Sequence, residues 1–295
     1  MKLFDPHIHM TSRTTDDYQA MADADIAVIV EPAFWVGQPR THVGSFEDYF
    51  LSLCGWERFR SKQFGIQHFC TIGLNPKECN QARVADGVMA LLPRFLEKDG
   101  VVAVGEIGYD EQNETEEKYF RAQLELAREL QLPALIHTPH RDKKRGTERS
   151  IALAKSVGLA PELVLIDHNN EETLPITLES GCWAGHSIYP DTKMDEDRMV
   201  ALVKKYGSER MIINSAADWG VSDPLKVPKT VKRMADAGIS EEIIRKIVWD
   251  NPVAFFAQSG RLNLSDVEGL SVDQRQLWEG NSVLRGQTPR VDGSS

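Results

Sequence analysis

Eight short apolar or β-branched runs, each followed by a stretch of helical periodicity, recur between residues 2 and 215 of this 295-residue chain, with no Gly-, Ser- or Pro-rich linker between them. The runs cover residues 2–9, 26–34, 67–74, 101–107, 133–138, 163–168, 182–188 and 210–215. The clearest helix spans Glu116 to Leu130, with Phe120, Leu124, Ala127 and Leu130 on one apolar stripe. That rhythm predicts an α/β fold, a parallel (β/α)8 TIM barrel in a single domain over residues 1–260, with a C-terminal arm of unassigned function over 261–295. An open doubly wound sheet is the alternative, but no Gly-x-Gly-x-x-Gly follows the first run. With 41% apolar residues and 26% charged, the chain can bury one large core.

In such a barrel the functional groups sit at the carboxyl ends of the strands. Here the first run ends in His7 and His9, the fourth in Glu106, the fifth in His137 and the sixth in His168, while the loop leaving the eighth carries Asp218. Strand alternation would put Asp5, His7 and His9 on one face and Phe4, Pro6 and Ile8 on the other. Each residue has a structural reading of its own. Glu106 could cap a helix, His137 could be a hydrogen-bonded core histidine, His168 could pair with Asp167, and Asp218 could be a turn residue. Against the first stands the apolar setting of Glu106, between Gly105 and Ile107, where a carboxylate without a cation partner is costly.

Three segments, Val104-Gly105-Glu106-Ile107-Gly108-Tyr109-Asp110, Phe120 to Ala127 and Leu132 to His137, stand in the order and spacing of a family signature. Together with residues 250–257 they give the chain a likeness, from His7 to about Gly260, to the TatD family of metal-dependent hydrolases within the amidohydrolase-like barrels. The resemblance implies that His7, His9 and Asp218 hold one ion, His137 and His168 a second, and Glu106 both. Two such cations clamp an electrophile and lower the pKa of bound water. An oxygen and nitrogen set suits Zn first, and also Mn, Co, Ni or Mg. Asp218 would accept and return the water's proton, Glu106 would share the catalytic work, and Asp5 would orient the imidazoles. The chain departs from the family at Asn214-Ser215-Ala216-Ala217-Asp218 and at His168-Asn169-Asn170, so its rim has been rebuilt.

Tyr109, Arg141 and Trp219 follow candidate ligands and are expected to touch substrate, and His186, at the end of the seventh run, is expected either to polarise substrate or simply to hydrogen bond. Arg141, Lys143, Lys144 and Arg145 form a basic cluster that either binds a phosphate or carboxylate or is a solvated loop. Between the second and third runs, residues 35–66 carry Trp35 and His42, expected at the mouth, and Phe46, Tyr49, Phe50 and Leu53, expected in the core.

The net charge of −10 disfavours wrapping of long nucleic acid. Four scattered cysteines and the shortness of every apolar run predict a cytoplasmic protein with no membrane partner. The favoured reading is a hydrolase of a small polar molecule, an amide, lactone or phosphoester. The alternatives are a TatD-type 3′-5′ deoxyribonuclease acting on a single-stranded DNA end and a non-hydrolytic metal barrel. Homo-oligomerisation is compatible with the apolar residues of the C-terminal arm.

Overall fold

The computed structural model describes residues 1–264. All eight runs form parallel strands: β1 (Leu3–Asp5), β2 (Ile26–Pro32), β3 (Gln67–Ile72), β4 (Val101–Gly108), β5 (Ala134–His137), β6 (Val164–Ile166), β7 (Trp183–Ser187) and β8 (Met211–Asn214). They lie side by side in chain order, with helices between them, in a nearly closed (β/α)8 barrel. Past the last strand pair the seam is stitched by backbone hydrogen bonds, Ala216 N–H to His7 O at 2.8 Å and His9 N–H to Ala217 O at 2.8 Å. This seam brings the ends of β1 and β8 together and so forms one edge of the mouth.

Alternation decides what fills the barrel. Phe4, Val28, Val30, Phe69, Val102, Leu135, Leu165 and Ile212 share one buried interior cluster, joined by Phe255 and Phe256 of the helix Asn251–Ala257. Their neighbours on the strands, such as Ile29, Ile136, Ile166 and Ile213, pack outward against the helices. The helix Glu114–Glu129 buries Phe120, Leu124 and Ala127, and Asn113 caps it by accepting the Glu116 N–H at 2.9 Å. In the 35–66 insertion Phe46, Tyr49, Phe50 and Leu53 are buried, whereas His42 is exposed.

One expectation needs correction. The first run was expected to be extended through residue 9, but β1 stops at Asp5 and the chain bends at residues 6–7. Phe4 consequently lies inside the barrel while Ile8 packs on the outer layer with Met10 and Tyr18, so these two do not share a face. Among the described residues no helix is long and apolar enough to cross a membrane. Leu262 and Leu264 pack on the interior cluster, while Leu270, Leu277, Trp278 and Leu284 lie outside the described residues.

Candidate metal centre at the barrel mouth

The strand ends bring four imidazoles and a carboxylate into one buried group. Glu106 Oε1 lies 3.0 Å from His137 Nδ1, 3.2 Å from His168 Nε2 and 3.7 Å from His7 Nε2. His7 Nε2 is 3.0 Å from His9 Nε2, and His168 Nε2 is 3.1 Å from His137 Nδ1. The ring of His9 is stacked on Phe34, centroids 3.6 Å apart. Donor atoms of His7, Glu106 and His168 all lie within 4.8 Å of one another.

A proton inventory shows what this group lacks. Asn214 Nδ2 donates to both oxygens of Asp167, at 3.0 and 3.3 Å, so its Oδ1 is left to accept from Ser187 Oγ at 2.7 Å. Ser187 Oγ, having spent its hydrogen, accepts from His168 Nδ1 at 2.6 Å. Neutral His168 therefore carries its hydrogen on Nδ1 and presents a bare Nε2 to Glu106. His7 donates from Nδ1 to Asp167 Oδ2 at 2.5 Å and likewise presents a bare Nε2. Glu106 Oε2 accepts from Asn75 Nδ2 at 3.0 Å, which fixes the carboxylate plane. Lone pairs of two imidazoles and a carboxylate thus converge in a buried group, an arrangement suited to a cation between them.

The electrostatics point the same way. Burial and the neighbouring His7 hold the His9 pKa well below the ordinary imidazole value, and burial together with the Lys193 charge does the same for His168. Burial would also depress His7, but the Asp167 carboxylate outweighs it and raises that pKa. Burial would raise Glu106, yet His137 and His168 hold it well below the usual carboxylate range. His9 and His168 are thus held neutral beside an anionic Glu106, the state in which nitrogen and oxygen ligate a divalent ion.

Asp167, expected only as a possible pairing partner of His168, is the residue that orients His7. His168 has φ +60°, and this left-handed turn lets two successive residues serve one site. Gly185 makes room for the Asp167 carboxylate, since a Cβ there would lie 2.3 Å from Oδ1. Asp5 was expected to orient the imidazoles. It instead accepts from the backbone N–H of Ser215 at 3.1 Å and of His7 at 3.3 Å, holding the bend and the β8 end together.

Asp218 stands outside the three-residue group. It is half-buried, and its Oδ1 accepts from the Tyr189 hydroxyl at 2.9 Å and the Gly220 N–H at 2.8 Å. The other expected substrate contacts divide. Trp219 is 52% exposed at the mouth, with its ring 5.9 Å from that of Trp35. Arg141 lines a cavity of about 620 Å³ together with Lys77, Asp110, His140 and Arg145. The His140 ring lies 6.2 Å from that of His137, so the cavity opens beside the centre. Tyr109 and His186 do not reach the mouth. Tyr109 is buried against Phe120 and donates to Glu117 at 2.9 Å on the helix side. His186 occupies an outward position of β7 and faces Ile212 O at 3.2 Å, because the inward neighbour that reaches the site is Ser187.

An eight-stranded parallel barrel that gathers imidazoles and a carboxylate at the carboxyl ends of its strands has the build of a metal-dependent hydrolase. The chain belongs to the TatD family: the family described as TatD related DNase matches residues 4–257. Over 257 residues it is 27% identical to an uncharacterized metal-dependent hydrolase of Methanocaldococcus jannaschii, covering 86% of this chain and 99% of that one. Its fold is similar to that of the TatD-like protein from Archaeoglobus fulgidus, with a TM-score of 0.71, 24% identity and coverage of 86% and 99% of the two chains. It is also similar to that of an organophosphorus hydrolase from Deinococcus radiodurans, with a TM-score of 0.66, 17% identity and coverage of 86% and 92%. Family and relatives together make this chain a metal-dependent hydrolase of the TatD type.

Proposed function

We propose that the protein hydrolyses a small polar substrate, an amide, lactone or phosphoester, at a centre of one or two divalent ions held by His7, His9, Glu106, His137 and His168. The observation that carries this reading is the convergence of bare acceptors, His7 Nε2, His168 Nε2 and Glu106 Oε1, in a buried pocket with their other atoms already committed. A divalent ion bound there supplies electrophilic polarisation of the substrate and a water that ionises near neutral pH, and zinc suits the donor set first. The side chains do the rest. Glu106 lies between the two imidazole pairs and would bridge them. Asp167 holds His7 in one tautomer, and the Asn214–Ser187 relay does the same for His168.

Asp218, at the rim and tethered by Tyr189, would take the proton released in the attack and return it to the leaving group. Its role as a further ligand to the first ion is the alternative that the sequence pattern suggests. The acidic chain and the 620 Å³ cavity suit a small molecule. A deoxyribonuclease is the second reading, supported by the family description and by Lys77, Arg141 and Arg145 along the cavity. A panel of ester, lactone, amide and phosphoester substrates, run beside a 3′-ended single strand, tests both. Chelator-sensitive turnover of a small substrate supports the first reading, whereas processive loss of nucleotides with no small-molecule turnover would replace it by the second.

A further inference from the structure

The insertion between β2 and β3 turns one side to the barrel and leaves the other uncovered among the described residues. Its helix Val43–Leu51 continues through a wider turn, Ser52–Trp56, into the helix Glu57–Lys62. Phe46, Tyr49, Phe50, Leu53, Glu57 and Ser61 are buried on the inner side. On the outer side Leu51 is 50% exposed, Trp56 58% and Phe59 45%, with the Trp56 and Phe59 rings 5.6 Å apart. Leu51, Gly55 and Phe59 follow one another at steps of four, the spacing that keeps residues on one side of a helix. A Cβ on Gly55 would meet nothing within 4 Å, so these positions form one open apolar strip.

The described chain ends beside this strip. Arg58 reaches from the strip to the turn before β4, donating to the Asp99 carbonyl at 2.8 Å. Just beyond that turn the Val101 carbonyl accepts from Arg261 at 3.3 Å. Asn263 O accepts from Gln67 Nε2 at 2.5 Å, and Gln67 opens β3 shortly after the helix Glu57–Lys62 ends. Residues 265–295, outside the described residues, therefore depart from the corner of the barrel that carries the strip. In sequence, residues 265–279 set Val267, Leu270, Leu277 and Trp278 among Asp266, Glu268, Asp273 and Glu279, with Arg275 as the one base. The strip is flanked by the opposite charge, Arg58 and Lys62 on its own helix and Lys98 next to Asp99.

Three half-exposed side chains offer on the order of 300 Å² of apolar surface, well short of the ~800 Å² that each partner contributes to a stable complex. A tethered segment escapes most of the cost of association, so a patch of that size suffices for it. Extended chain covers about 3.3 Å per residue, so residues 265–278 can span up to roughly 45 Å. The insertion helix, at about 1.5 Å per residue, is roughly 30 Å long. We propose that residues 265–279 dock on the strip of Leu51, Gly55, Trp56 and Phe59 of the same chain, with Leu277 and Trp278 as apolar anchors and the acids facing Arg58, Lys62 and Lys98. This surface lies toward the amino-terminal ends of the strands, where Gln67 and Val101 begin β3 and β4, and so stands apart from the chemistry at the mouth.

The test is hydrogen–deuterium exchange on the full chain, with mass measured by light scattering across a dilution series. The proteins are wild type, a Trp56→Ser and Phe59→Ser double variant, and a Leu277→Ser and Trp278→Ser double variant. The second pair lies outside the barrel, so it reads docking even if the first disturbs the insertion. Wild type is expected to be a monomer in which amides of residues 265–279 exchange about tenfold or more slowly than in a free peptide of that sequence. Each serine pair should return them to the peptide rate. Peptide-like exchange in wild type, or slowed exchange that survives either pair, overturns the proposal. Slowed exchange that fades on dilution as a dimer dissociates overturns it as well, in favour of a strip covered by a second copy.

Discussion

Among the described residues, a buried histidine and carboxylate cluster behind the strands and the one at the mouth are built on opposite principles. In the layer between strands and helices, Glu31 of β2 accepts from the Thr11 N–H at 2.7 Å and the Thr11 hydroxyl with one oxygen, and faces His68 Nε2 of β3 at 2.9 Å with the other. Each oxygen of Glu31 thus meets a donor. At the mouth, Glu106 Oε1 meets His7 Nε2 and His168 Nε2, whose ring hydrogens are already spent on Asp167 and Ser187, beside His137 Nδ1 at 3.0 Å. In the first cluster each carboxylate oxygen has its donor, whereas in the second two bare imidazole nitrogens face the carboxylate. The same residue types therefore hold the fold together in one place and await a ligand in the other, and the difference lies wholly in where the hydrogens go.

Breaking the mouth should give the largest effect. Glu106→Ala or His9→Ala is expected to remove bound metal and lower turnover more than about 1,000-fold, the scale of losing a metal's stabilisation of a transition state. Thermal unfolding should show the fold retained. Asp167→Asn should cost roughly 10- to 100-fold in metal affinity, since it alters the partner of a ligating imidazole without touching the ligands. Competition with a chromophoric chelator measures this.

The opposite pattern is expected in the other cluster. His68→Ala should destabilise the fold by on the order of 3 kcal/mol, by leaving one oxygen of a buried carboxylate without its partner, with metal content unchanged. Denaturant unfolding checks it, and lost metal with intact stability would erase the contrast between the clusters.

Asp5 sharpens the comparison through pH. Burial raises its pKa from 3.8 to about 6 despite hydrogen bonds from Ser215 and His7. Below about 4 the group is protonated in both folded and unfolded chains. As pH rises from 4 to 6 the unfolded carboxyl ionises first, so stability is lost across that window. Asp5→Asn keeps the accepting oxygen and escapes the loss. It should gain about 1–3 kcal/mol relative to wild type between pH 4 and pH 7 in metal-free protein, read from unfolding curves. The smallest effect is expected at the rim, where Trp219→Ala should raise KM only a few-fold, on the order of 1 kcal/mol of lost contact.

The eight strands were legible because parallel strands covered on both faces must read as continuous apolar runs, and all eight appear within a few residues of their expected bounds. His7, His9, Glu106, His137 and His168 were legible as a convergent set because strand ends meet at one rim. The layer behind them was not. Asp167, Ser187, Asn214 and Asn75 act through hydrogen bonds whose partners lie far away in sequence, and no spacing announces them. Facing was also lost where the backbone departs from alternation, at the bend after Asp5 and at the left-handed His168. Tyr109 was expected at the mouth because it follows a ligand position, and His186, at the end of its strand, to polarise substrate or to hydrogen bond; both face outward, and His186 hydrogen bonds with Ile212 O.

The central claim is that the converging acceptors bind a divalent ion, and the most direct measurement is the metal retained after equilibrium dialysis against zinc, by wild type and by Glu106→Ala. Wild type is expected to retain roughly one to two equivalents per chain and the variant far less. Equal retention by both proteins, or none by wild type, would contradict it.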